Sequence, residues 1–161
     1  LSTSDTGGEP HARVDVLRRF GERFGFFCHG SGSKVREFAN AGTAAAVVYL
    51  PSLGIQYRAA CECEQIPPSI VHAQWLQRRE LSKRLDVLYE TRPQGSGVES
   101  LDWIRAQLLR ISTPERAPAT SVGFYLEPIG IDRLSLADDG VHDRRLFRWS
   151  DGAWSESVLM P

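Results

Sequence analysis

The chain has 161 residues, 42% of them apolar, with 19 Lys and Arg against 20 Asp and Glu for a net charge of -1, which suits one soluble domain with a real core and offers no electrostatic basis for a nucleic-acid or membrane-surface partner. No apolar run reaches the length of about 18 residues that a membrane span needs, and the opening Leu1-Ser2-Thr3-Ser4-Asp5 has neither the basic nor the apolar part of a signal peptide. Three cysteines cannot all pair within the chain, which fits a reducing, cytoplasmic setting better than a disulfide scaffold.

Strand signals dominate. Gly7-Gly8-Glu9-Pro10 reads as a hairpin turn, making residues 1–3 the end of one strand and Arg13-Val14-Asp15-Val16-Leu17 the next. Residues 24–29 form an apolar strand, and a helix over 33–41 follows, with Ser33 as N-cap and Gly42 as its stop. Residues 44–50 are continuously apolar, as in a strand covered on both faces. Residues 55–64 alternate, with Gln56, Arg58, Ala60, Glu62 and Glu64 on one face and Ile55, Tyr57, Ala59, Cys61 and Cys63 on the other. A long second helix follows Pro67-Pro68 and runs to Tyr89, with Leu81, Leu85 and Leu88 as its buried stripe. After a polar loop over 91–97, a third helix begins near Ser100, with Leu101, Ile104, Leu108 and Ile111 on one face; residues 113–120 are again loop. Strands over 143–149 and 154–160 close the chain through a hairpin at Ser150-Asp151-Gly152. Many short strands with few helices predict a mainly β, antiparallel barrel or sandwich, and no repeat or linker divides residues 1–161.

Gly30-Ser31-Gly32-Ser33-Lys34 is the best phosphate candidate. Its glycines allow close backbone approach, the amides opening the following helix point outward, and Lys34 and Arg36 add charge. The same pattern also serves as ordinary helix capping. Cys61 and Cys63 share a strand face, but two ligands without a second pair read as buried reduced thiols rather than a metal site. His11, His29 and His72 have no metal-like spacing. Asp138-Asp139-Gly140 reads as a turn, and Trp149 and Trp154 read as packing.

The ordered set of these segments resembles the pyridoxine/pyridoxamine 5′-phosphate oxidase family. The resemblance rests on Arg13-Val14-Asp15-Val16-Leu17, on the turn before Arg36-Glu37-Phe38, on Leu50-Pro51 to Gln56, on Arg92-Pro93, and on Val141-His142-Asp143-Arg144 with the closing hairpin that ends at Pro161. It implies an FMN-binding split β-barrel, homodimeric, with the flavin site at the dimer interface and the family's N-terminal helix absent from this chain. It also implies cofactor contacts from Arg13, Val14, Leu17, Arg18, Ser33, Lys34, Gln56 and Arg144. Substrate contacts are implied from Arg18, Arg92, Ser96 and His142, with His142 placed for proton transfer.

The departures bear on function. Gly140 stands where the family has its substrate-facing arginine, Leu134 where it has a flavin-contacting tryptophan, and Leu88 rather than Tyr four residues before Arg92; a Gln-Ser segment is lost before Val122. The resemblance therefore implies an FMN-dependent oxidoreductase acting on a non-vitamin, biosynthetic substrate. It also extends to the phenazine-biosynthesis flavin oxidases. A flavin-free member using the cavity for binding or redox-neutral catalysis is the alternative, and a genuine pyridoxine-phosphate oxidase the second.

Overall fold

The computed structural model describes residues 1–161. The strands are β1 (Ser2–Ser4), β2 (Pro10–Ala12), β3 (Arg18–Phe20), β4 (Arg23–His29), β5 (Thr43–Leu50), β6 (Ile55–Gln65), β7 (Ser121–Ser135), β8 (Asp143–Ser150) and β9 (Ala153–Leu159). The helices are α1 (Ser33–Ala41), α2 (Pro68–Leu76), α3 (Glu80–Thr91) and α4 (Leu101–Arg110). All nine strands join one sheet, in the order β2-β1-β5-β6-β7-β4-β3, with β8 and β9 branching from β7; every pairing is antiparallel.

β7 is the hub, and the sequence reading has no strand there. One edge pairs with β6 along residues 124–135. The other is shared, with β4 taking residues 121–126 and β8 taking residues 130–135, so the sheet forks. Pro128 sits in mid-strand at a register shift, where Ala60 pairs with Gly130 but Cys61 with Pro128. A residue without an N–H is tolerated at such a bulge and argues against a strand when read from sequence alone.

The core forms on one face. Ala44 and Cys61, opposed across β5 and β6, pack with Phe26, Phe124 and Leu126, and Phe38 of α1 plugs the open end with its ring centroid 4.8 Å from that of Phe124. A second cluster of Ile66, Val71 and Tyr125 seats α2. Gly25 is required at its strand position, since a Cβ there would lie 2.6 Å from the Phe124 carbonyl oxygen. Burial pushes the thiols up, Cys28 to about 12, Cys61 to about 11 and Cys63 to about 12, which disfavours the reactive thiolate at all three, and none is in a disulfide.

Several expectations are corrected. Residues 13–17 are not a strand. The Arg13 amide makes one last ladder bond to the Leu1 carbonyl (3.0 Å), and the chain then crosses from β2 at one end of the sheet to β3 at the other, leaving Val14 99% exposed. Ser33 is not the cap of α1; Gly32 is, with no side-chain bond, although Gly42 does stop the helix in the left-handed region at φ 66. The helix expected from Pro68 to Tyr89 is two helices, because the chain folds back at Gln77 so that Asp86 can meet Trp75 and Arg78. In α3 the stripe narrows, with Leu88 buried but Leu81 59% exposed. β5 is covered on one face only within this chain. The closing hairpin is as expected, with Asp151 (φ 53) and Gly152 (φ 78) in the two positive-φ positions of its turn. No helix is long and apolar enough to cross a membrane.

Candidate functional site

Gln56, Leu134 and Arg144 lie in direct register across β6, β7 and β8, with Tyr49 of β5 and Leu159 of β9 completing the row. Residues directly opposed in antiparallel strands share a face, and this is the face away from the core. Two residues along, Val47, Arg58, Asp132 and Leu146 form the next row. Asp132 accepts from Arg144 through Nη2 at 2.8 Å and Nε at 3.2 Å, and also pairs with Arg58. The Arg144 bonds, opposed by burial and reinforced by Arg58, hold the Asp132 carboxyl below its ordinary range. Beside these rows opens a cavity of about 550 Å³ lined by Arg58, Asp132, Leu146 and Arg148 among others.

The N-terminal cations lie elsewhere, and Arg13 and Lys34 among them are already paired. Arg13, which the Glu37 carboxylate meets at 2.9 Å, also donates to Thr3; Glu37 is further bonded by Thr3 and by His11 Nδ1 at 2.8 Å. This group pins α1 to the β1–β2 hairpin. Asp5, Glu9 and His11 converge within 4.8 Å there, with Asp5 Oδ1 already taken by the Gly7 and Glu9 amides. Lys34 is paired with Asp15. Arg18 reaches over the Phe27 ring at 5.8 Å. Val14 and Leu17 point into solvent, and Ser33 is exposed on the first turn of α1.

The structure brings Arg92 and Ser96 together on a second cavity, of about 360 Å³, between α3 and α4, where Arg92 lies 5.8 Å from the Trp103 ring centroid. This loop touches the glycine turn, for the Gln94 amide donates to Ser31 Oγ at 3.1 Å, and that hydroxyl is also bonded to His29 Nδ1 at 2.7 Å. His142 Nδ1 accepts from the Ala137 amide at 3.2 Å, which leaves Nε2 to carry the proton of the neutral ring. Gly140 ends the Ala137–Gly140 turn at φ 81, with its amide on the Ala137 carbonyl at 3.1 Å.

No model of a known protein family matches the chain. Among curated relatives, the pyridoxine/pyridoxamine 5′-phosphate oxidase of Ectopseudomonas mendocina (strain ymp) is 30% identical over 171 residues, spanning 100% of this chain and 76% of its own length. The chain belongs to the pyridoxine/pyridoxamine 5′-phosphate oxidase family. The enzyme of the same name from Pseudomonas putida (strain W619) is 29% identical over 167 residues, with the same coverage. PhzG from Burkholderia lata 383, solved in complex with tetrahydrophenazine-1-carboxylic acid, superposes with a TM-score of 0.85 at 21% identity, covering 99% of this chain and 80% of its own. A pyridoxamine 5′-phosphate oxidase-related, FMN-binding protein from Nostoc punctiforme PCC 73102 gives 0.81 at 19% identity, covering 99% and 86%. The fold is accordingly the split β-barrel of this family.

In this member of the oxidase family the donor set suits a phosphorylated flavin by chemistry. Lys34 and the first amides of α1 suit the phosphate, and the Gln56 carboxamide and Arg144 guanidinium suit polar edges of a ring laid along the outer sheet face. Within one chain the Gln56–Arg144 row shares no residue with the lining of the Arg92–Ser96 cavity, whereas the loop of that cavity meets the glycine turn before Lys34 through Gln94 and Ser31. What sequence reasoning misses is the carboxylate partner of each cation: Glu37, Asp15 and Asp132. Alternation along 130–134 is the one signal that places Asp132 beside Arg144, and it becomes usable only once residues 121–135 are known to be a strand.

Proposed function

We propose that the protein is an FMN-dependent oxidoreductase of the pyridoxamine-phosphate-oxidase type acting on a non-vitamin substrate, a biosynthetic intermediate, as a homodimer with its flavin sites at the interface. The observation that carries the departure from vitamin chemistry is Gly140. It occupies a left-handed turn where the family resemblance places an arginine, so this loop presents backbone and not a guanidinium to the substrate. Family membership and the FMN-binding neighbour support the cofactor, and the reduced-phenazine ligand of PhzG supports a biosynthetic ring substrate.

FMN, when bound, supplies the two-electron redox chemistry. The chain's own residues bind and orient. Lys34 would neutralise the phosphate, Gln56 and Arg144 would hydrogen-bond polar edges of the ring, and Arg18, Arg92 and Ser96 would hold an anionic group of the substrate. His142, with its Nε2 proton free to donate, serves substrate hydrogen bonding and proton transfer. Titration of the purified protein with FMN tests the reading. Stoichiometric binding retained through gel filtration, with slow or no turnover of pyridoxine 5′-phosphate, is the expected result; colourless protein that binds no FMN sinks it.

One observation favours a flavin-free member that uses the same surfaces for redox-neutral catalysis. Arg13, Lys34 and Arg144 are each already paired with a carboxylate of the chain itself. The same titration separates the two readings.

A further inference from the structure

Of the three paired cations, Lys34 is held most tightly. Asp132 is shared by Arg58 and Arg144, so that cluster keeps a net positive charge, and Arg13 shares Glu37 with His11. Lys34 and Asp15 form a one-to-one pair with no net charge, and both side chains are largely out of solvent at 11% and 16% exposure. The Lys34 ammonium also lies 5.3 Å from the Phe26 ring centroid. Asp15 Oδ2, by contrast, is buried and has no hydrogen-bond partner. A buried carboxylate oxygen without a donor is costly. It is therefore held here by what its segment gains elsewhere.

That segment is residues 13–17, which form no strand and carry Val14 and Val16 out into solvent. It is tied to the body at alternate residues, by Arg13 to Glu37 and by Asp15 to Lys34. Both ties end on α1, on the helical face next to the glycine turn. A phosphate that reaches the Lys34 ammonium meets the Asp15 carboxylate already there. Two anions cannot share one ammonium in a desolvated pocket without strong repulsion, so one must leave.

The geometry points to Asp15 as an internal competitor for the cofactor's phosphate, a latch that holds residues 14–17 over Lys34 until the phosphate displaces it. This rests on the flavin reading of the site. It implies that the latch discriminates between flavins by their phosphate alone: FMN must open it, whereas riboflavin has nothing to place on Lys34. Removing the charge of Asp15 then strengthens the binding of FMN specifically.

The test uses the full chain as wild type, Asp15→Asn and Asp15→Ser, each checked for an unchanged thermal midpoint and titrated with FMN and with riboflavin by quenching of flavin fluorescence. The expected result is FMN binding about tenfold tighter in both variants, the scale of one partly desolvated charge interaction, with riboflavin changed by less than about twofold. FMN affinity that is unchanged or weaker in the variants, while the wild type binds FMN, overturns the latch and leaves the flavin reading standing. Equal tightening for both flavins also overturns it, since the effect would not act through phosphate. Binding of neither flavin by any of the three proteins sinks the flavin reading and the latch together.

Discussion

Glu37 shows how far a single position can be read. Arg13 is recognisable from sequence as a site candidate, but its partner lies 24 residues away, where only the fold brings it within 2.9 Å. Burial pushes the Glu37 carboxyl up, and donors from Thr3, His11, Arg13 and Ser33 more than offset this, leaving it at about 2. The folded value is thus depressed below the ordinary carboxylate value of about 4.3. The stabilisation is present above that ordinary value and is lost as pH falls through it toward about 2. Urea unfolding should therefore show about 3 kcal/mol less stability at pH 2 than at pH 6 from this group, and Glu37→Gln should remove that part of the acid dependence. Gly140 gives a second test at this scale. A Cβ there meets nothing within 4 Å, so Gly140→Arg is resisted by the backbone alone at φ 81. It should cost about 1 kcal/mol in urea unfolding and fail to confer turnover of pyridoxine 5′-phosphate, because a guanidinium on this turn leaves the other departures, Leu134 and the segment lost before Val122, unchanged.

Elements with a clean period are readable, and those whose period is interrupted are not. β6 alternates over its whole length because one face meets the core through Cys61 and Ala59 while the other stays open, and residues 55–64 show this directly. β7 hides because Pro128 breaks its middle and its second half mixes Asp132 and Arg133 into the pattern. The break between α2 and α3 is likewise invisible to helical periodicity. Its cause is a tertiary contact: Asp86, buried at 4% exposure, accepts from Trp75 Nε1 at 2.9 Å and from Arg78. Removing that acceptor strands a buried indole N–H and a guanidinium together. Asp86→Ala should destabilise by about 3 kcal/mol and Trp75→Phe by only about 1–2 kcal/mol, since the phenyl ring keeps most of the packing while losing the bond. Chemical denaturation followed by far-ultraviolet circular dichroism measures both, and equal costs would contradict Asp86 as the staple.

The molecule as a whole exposes more surface than a compact chain of its size. Its accessible area is 10507 Å², whereas a globular monomer of this mass presents about 8000 Å². The excess is not evenly spread. On β5, Val47 and Tyr49 are 57% and 51% exposed and face outward beside the Gln56–Leu134–Arg144 row, and Val14 and Val16 add to the open apolar surface. The continuous apolar run of residues 44–50 reads as a strand covered on both faces, and one chain covers only one of them. A second copy laid on that face would supply the missing cover, as the proposed homodimer requires, and a stable pair needs about 800 Å² from each partner, well within the excess. Sedimentation velocity at micromolar concentration should therefore show a dimer. Val47→Lys combined with Tyr49→Lys should shift it to monomer, because four ammonium groups would be buried against one another across a two-fold interface. If the flavin sites lie at that interface, the same variant should lose FMN binding while each chain stays folded, as judged by circular dichroism. A monomeric variant that still binds FMN with wild-type affinity would place the site within one chain and refute the shared interface.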